Sequence, residues 1–274
     1  MKHQDSPKFN FGNNAVAKAY DSILVPVLFE PWAKALVEEH QPLLGKNVLE
    51  LACGTGVVTK ELANYVLPNG SITALDINKE MLSLAKEKCE RWSSKINFIE
   101  GSADALALSD EKVDLVICQQ GFQFFPNKRI AASEIYRVLK KGGKATITTW
   151  CEVSKCQIFD AVCKSLESLG HHEISQTMRV PFDHLSGDEL LKVFENQSFS
   201  NIKVIEKSKK LYLENGTSDV IRFAYATPIG PMLNKLSLEV QEQFQQLLLE
   251  RVSKLSEEDS SMGVMTSYVL TAEK

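Results

Sequence analysis

From Asn47 to Cys151 the chain alternates short apolar runs with segments of helical spacing, and this alternation constrains the fold more than any other feature. The runs are NVLELA, SITALD, INFIE, VDLVICQ and KATITTW, rich in β-branched and apolar residues and bounded by turn residues. A strand apolar at nearly every position has both faces covered, and parallel neighbours need a crossover helix between them. The pattern therefore predicts an α/β fold, a doubly wound and mostly parallel sheet with helices on both faces. VVTKELANYVL and NKEMLSLAKEKCERW supply helices between the first strands. In NKRIAASEIYRVLKKGG, Ile130, Ile135, Val138 and Leu139 fall near one face. Two lysines close its predicted last turn, and Gly142–Gly143 is expected to stop it.

The flanks read differently. Residues 11–42 suggest two short helices broken by Pro26 and Pro31, with Pro31 at a helix N1 position. Downstream, QIFDAVCKSLESLG is helical, HHEISQTMRVPFDHLSG irregular and residues 187–197 helical again. NIKVIEKSKKLYL is a sixth strand. Residues 217–257 are helical, with Val240, Phe244, Leu248, Val252 and Leu255 in a stripe, and MGVMTSYVLTAEK has strand character.

A chain of 274 residues, 44% apolar and 24% charged, can bury a core without disulfides or a metal. Its net charge of −4 gives no electrostatic footprint for nucleic acid. The cysteines at 53, 89, 118, 151, 156 and 163 form no CxxC pair and match no zinc spacing, which predicts free thiols in a reducing compartment. The polar start MKHQDSPKFNFGNN lacks the apolar run of a signal peptide, and no stretch reaches bilayer length. A cytoplasmic protein is expected.

In such a sheet, ligands bind at the carboxyl ends of the strands. The first strand carries an acid, Glu50, and runs into ACGTG, whose glycines permit a tight turn and close backbone approach. The second ends at Asp76, twenty residues beyond Gly56, a spacing that suits a carboxylate on a ribose diol. GSADAL follows the third strand and CQQGFQFF the fourth. Two ligands could use this frame. A nicotinamide dinucleotide expects Gly or Ala where Thr59 stands, and Glu50 would repel its pyrophosphate. S-adenosylmethionine brings an ammonium, a sulfonium and a ribose, and suits both acids.

These motifs resemble the class I S-adenosylmethionine-dependent methyltransferases. LELACGTG is similar to their first motif, Asp76-Ile77 to the acid closing strand two, GSADAL to the adenine loop and LKKGGKATITTW to the turn into strand five. Within the superfamily the chain looks most like the small-molecule branch that includes ubiquinone and menaquinone methyltransferases. The resemblance implies a single Rossmann-like domain over 1–274, with a seven-stranded, mostly parallel sheet and an antiparallel last strand. It would carry an N-terminal helical lid (11–42), a cofactor-binding core (43–151) and substrate-side helical insertions (152–186 and 217–257).

The resemblance also implies roles. Glu50 would act near the methionine ammonium, and Ala52, Gly54 and Gly56 would lend backbone contacts. Asp76 would grip the ribose, Ile77 and Met81 would flank the adenine, and Ser102 and Ala103 would meet its edge. Gln119 would lie beside the methionine portion, with Tyr20 closing over it. Gln120, Phe122 and Phe124 would face the acceptor. No metal is expected. His171, His172 and His184 read as solvated loop histidines, and KSKK at 207–210 as the solvated face of an edge strand. No catalytic base is assigned, because in-line transfer of an activated methyl draws much of its rate from alignment. The expected activity is O- or C-methylation of a small, apolar or aromatic acceptor. The alternatives are a nicotinamide-dependent oxidoreductase and a non-catalytic S-adenosylmethionine-binding regulator. Nucleic acid and stable membrane insertion are not expected as partners, and CQQGFQFFP lacks the N/D-P-P-Y/F motif of amino-methylating nucleic-acid enzymes. The oligomeric state stays open, a dimer among the options.

Overall fold

In the strand Asn47–Leu51, Leu49 and Leu51 enter one apolar cluster while Val48 enters another. Val116 and Cys118 in the strand Val113–Gln119 divide from Leu115 and Ile117 in the same way. Successive strand residues point to opposite faces, so both faces of this sheet are buried, as the near-continuous apolar runs predict.

The computed structural model describes residues 14–216, 218–255 and 261–274. Its strands are β1 (Asn47–Leu51), β2 (Ser71–Asp76), β3 (Ile96–Glu100), β4 (Val113–Gln119), β5 (Leu139–Trp150), β6 (Ser200–Tyr212) and β7 (Ser261–Glu273). They form one seven-stranded sheet in the order β3-β2-β1-β4-β5-β7-β6. Strands β1 to β5 pair in parallel, with Glu50 beside Ala74 on one side and Ile117 on the other. Gly142 N–H donates to Lys274 O and Cys151 N–H to Thr266 O, so β7 runs antiparallel to β5. The order reverses about β1, whose neighbours are β2 and β4. That reversal opens a crevice at the carboxyl ends of these strands.

The helices are α1 (Asn14–Ala19), α2 (Glu30–Glu38), α3 (Val57–Val66), α4 (Lys79–Lys88), α5 (Lys128–Val138), α6 (Gln157–Ser168), α7 (His172–Asp183), α8 (Gly187–Glu195), α9 (Ser218–Tyr225), α10 (Gly230–Leu233) and α11 (Leu238–Ser253). The chain gathers into two compact units. One holds Leu28–Thr149, Leu185–Lys207 and Ser267–Lys274. Within it, α2, α3 and α4 share a cluster with Val48, and α5 and α8 share one with Leu49. The other unit holds the described residues up to Val27, with Trp150–His184 and Ser208–Thr266. There Phe182 of α7 packs on Phe159 of α6, ring centroids 4.9 Å apart, and Phe159 on Phe223 of α9 at 5.4 Å.

Three local expectations are corrected. Residues 14–38 hold no break: a wide π-helical stretch, Tyr20–Phe29, joins α1 to α2 and contains Pro26. Its wider turn displaces the carbonyl that the Pro26 ring would otherwise meet. The irregular segment after Gly170 is helical as α7, because Ile174, Met178 and Phe182 bury one stripe despite the polar residues between them. Helix α5 ends at Val138, and Lys140 lies in β5, not in a helical last turn. The Lys140 ammonium is drawn to Asp114 of β4, at 2.9 and 3.0 Å.

Candidate active site

At the end of β1 the backbone turns through left-handed conformations at Ala52 (φ 52°), Gly54 (φ 54°) and Gly56 (φ 80°). Such angles suit glycine and strain alanine. Gly56 opens α3, and a Cβ there would stand 2.9 Å from the Ala85 Cβ, so α4 seats directly on this turn. A Cβ on Gly54 would meet nothing within 4 Å, so the turn has open space above it.

Asp76 ties the turn to β2. Its carboxylate accepts from Gly54 N–H and Asn78 N–H, both at 2.8 Å. Burial holds the Asp76 pKa above its ordinary value, and these donors offset part of that rise. The next side chain, Ile77, is 72% exposed, whereas Met81, on the first turn of α4, is buried. Asn78 caps that helix by accepting from Met81 N–H at 3.0 Å.

Glu50 is 2% exposed. Its carboxyl receives the Thr59 hydroxyl at 2.5 Å, from the first turn of α3. Burial pushes the Glu50 pKa up to about 8, with the Asp76 charge adding to the rise and Thr59 opposing it. Ionisation of a carboxyl held this way is favoured by a cation brought beside it.

The loop after β3 is held from below. Leu106 N–H donates to Glu134 of α5 at 2.8 Å, and Arg137 donates to Leu106 O at 3.0 Å and Leu108 O at 2.6 Å. Ser102 is half-buried there and Ala103 buried.

After β4 come Gln119 and Gln120. Gln119 Nε2 donates to Phe29 O at 3.2 Å, and its buried Oε1 meets no partner among the described residues. Gln120 has φ 54°, and its Nε2 donates to Ser267 Oγ at 2.9 Å. Gly121 lies so close to the first turn that a Cβ on it would fall 2.4 Å from the Ala52 Cβ. Phe122 is core, its ring 5.2 Å from Phe125 and 5.6 Å from Phe194, whereas Phe124 is partly exposed.

Glu50, Ala52, Gly54, Gly56, Asp76, Ile77, Met81, Ser102, Ala103, Gln119, Gln120 and Phe124 thus gather at the carboxyl ends of β1 to β4. Tyr20 belongs to the other compact unit, half-buried on the π-helical stretch. His171, His172 and His184 are also in that unit, at the two ends of α7. Among the described residues, no cluster of His, Cys, Asp or Glu could hold a metal ion, and no helix is long and apolar enough to cross a membrane.

Residues 48–143 match the family described as Methyltransferase domain. The match spans about a third of the chain. The chain is similar to demethylmenaquinone methyltransferase of Lactococcus lactis, 33% identical over 48% of this chain and 54% of that protein. It is also similar to demethylmenaquinone methyltransferase of Staphylococcus haemolyticus, 27% identical over 69% of this chain and 84% of that one. Among solved structures, the YcgJ protein from Bacillus subtilis shares the fold with a TM-score of 0.57 and 18% identity, over 89% of this chain and 98% of that one. Haemonchus contortus phosphoethanolamine N-methyltransferase 2, solved with phosphomonomethylethanolamine and S-adenosylhomocysteine, shares it with a TM-score of 0.62 and 16% identity, over 96% and 57%.

Sequence reading missed three features of residues 48–143. Thr59 reads as a failed glycine position, yet its hydroxyl is the partner of Glu50. The Glu134–Arg137 pair reads as helix surface, three residues apart, but it clasps a loop some thirty residues upstream. Gln123 carries no sequence signal at all, and only its burial marks it.

Proposed function

We propose that this protein transfers a methyl group from S-adenosylmethionine to a small, neutral, hydroxylated acceptor of the quinol type, as an O- or C-methyltransferase. The observation that carries the reading is the buried Glu50, held by Thr59 at the foot of a glycine turn that is itself tied to Asp76. A pyrophosphate beside that acid would be repelled, whereas an ammonium would be attracted. The uncapped Gln119 Oε1 gives the same cation a second acceptor. On these three observations the residues fit S-adenosylmethionine.

In this reading Glu50 and Gln119 hold the amino acid end. Asp76, whose two oxygens are already oriented by backbone donors, takes the ribose hydroxyls. Ile77 and Met81 bracket the adenine, and Ser102 and Ala103 meet its edge. When bound, S-adenosylmethionine supplies a methyl group already activated by its sulfonium. The chain's part is alignment and exclusion of water, which for in-line transfer is a large share of the rate. The names of the curated relatives support a quinone-like acceptor. So does the stretch Cys118–Asn127, which carries no Asp, Glu, Lys, Arg or His.

Calorimetry with S-adenosylhomocysteine tests the cofactor reading. The wild type should bind, and Glu50→Ala and Asp76→Ala should each weaken binding by roughly tenfold or more, as expected when a charge-assisted hydrogen bond is lost. Undiminished affinity in both variants would overturn the assignment.

A further inference from the structure

Gln123 lies on the short turn Phe122–Phe124, two residues beyond the glycine that packs on Ala52. It is 5% exposed, and neither Nε2 nor Oε1 meets a hydrogen-bond partner among the described residues. A carboxamide offers two donors and two lone pairs, and burying all of them unmet is costly. Beside it, Gln120 is held at φ 54°, a strained angle for a residue with a Cβ, and its buried Oε1 is also unmet. Its own Nε2 is fixed by Ser267, whose hydroxyl donates to Thr149 O at 2.7 Å. Strain and unmet polarity therefore meet on one turn, at the carboxyl end of β4 and against the first glycine turn. Costs of this kind persist where a ligand repays them.

We propose that the Gln123 carboxamide is the acceptor-recognising group of this enzyme, donating from Nε2 to one acceptor oxygen and accepting at Oε1 from a hydroxyl, with Gln120 Oε1 as a second acceptor. The proposal rests on the methyltransferase reading above and deepens it by naming the side chain that recognises a hydroxyarene. An amide presents a donor and an acceptor side by side, and a phenolic or enolic hydroxyl is both. A cationic amine would find no carboxylate between Cys118 and Asn127, and the ammonium of Lys128, the next residue, is held on Phe125 O at 3.1 Å. Phe124, partly exposed on the same turn, suits an aromatic ring. Because the amide atoms are shielded from water, neighbouring side chains move aside when the acceptor enters. The unmet amide favours that movement.

The probe is 1,4-dihydroxynaphthalene, with 1,4-dimethoxynaphthalene as the analogue that has lost its donors, each titrated by calorimetry into the S-adenosylhomocysteine complex. The wild type should bind the dihydroxy probe at least tenfold more tightly than the dimethoxy one. Gln123→Met should lose that preference, keep its affinity for S-adenosylhomocysteine within twofold, and melt at or above the wild-type temperature. A structural glutamine with hidden partners would instead lower the melting temperature on substitution by Met. That result, equal binding of the dihydroxy probe by wild type and variant, or no binding of it by the wild-type complex, overturns the proposal. A wild type that fails to bind S-adenosylhomocysteine overturns the methyltransferase reading itself, a result separate from the others.

Discussion

Glu50 is the residue whose chemistry the sequence announced most clearly and explained least. An acid inside an apolar strand, four residues before a glycine, is visible in the letters. Its partner is not, because Thr59 comes within reach only once α3 folds back over β1. The structure also gives the acid a cost. A carboxyl whose pKa rises from the ordinary range to about 8 on folding binds a proton in the native state that the unfolded chain has released. Its contribution to stability is therefore greatest below about pH 4.5, declines as pH rises toward 8, and is level beyond. Glu50→Gln removes that titration. In thermal melts of the ligand-free protein, the variant's Tm should gain on wild type steadily between pH 5 and 8, by roughly 10 °C at the upper end for a shift worth on the order of 4 kcal/mol. The same variant should bind S-adenosylhomocysteine more weakly. A Tm difference that does not change with pH would show that the acid is not held protonated in the native state.

Elements were legible where one physical signal dominated them. Strands β1 to β4 and helices α3 and α4 follow their apolar runs closely, since burial on both faces leaves few polar positions to blur the pattern. Helix α7 was hidden by the reverse situation, a three-residue buried stripe among charged neighbours with a proline near its end. The end of α5 was misplaced because Lys140 has a better partner across the sheet in Asp114 than in the helix carbonyls. That helix has a second consequence. Arg137 donates to two carbonyls of the loop after β3, while Glu134 accepts from Leu106 N–H, so α5 fixes the segment that would carry the adenine edge. The Arg137 hydrogen bonds keep the Glu134 carboxyl below its ordinary range, so the clasp holds at neutral pH and is lost as pH falls through that lowered pKa. Arg137→Met should speed hydrogen exchange at Leu106 at least tenfold and weaken S-adenosylhomocysteine several-fold, with Ile77 and Asp76 untouched. Unchanged exchange at Leu106 would mean that the loop holds itself.

At the scale of the whole molecule, the parallel half of the sheet could be read in advance, whereas the insertion of β7 between β5 and β6 could not. Nothing local in MGVMTSYVLTAEK specifies which strands flank it, and its contacts with β5 join residues more than a hundred positions apart. Cysteine burial shows how firmly the folded chain is closed. All six thiols are free and buried, three of them (Cys53, Cys89 and Cys118) in the unit that carries the candidate site. Burial pushes the Cys89 and Cys118 thiols up to about 12, and Cys53 is raised as well, so almost no reactive thiolate exists in the native state. Labelling by a thiol reagent at pH 8 therefore needs the unit to open, and its rate reports that opening. A ligand that binds only the closed form slows it in proportion to one plus its concentration over Kd. At a hundred times Kd, S-adenosylhomocysteine should slow modification of Cys53, Cys89 and Cys118 by about a hundredfold, while full denaturation releases six reactive thiols. Mass spectrometry of quenched samples resolves the sites. If these three cysteines react equally fast with and without the ligand, S-adenosylhomocysteine does not bind the unit that contains Glu50 and Asp76.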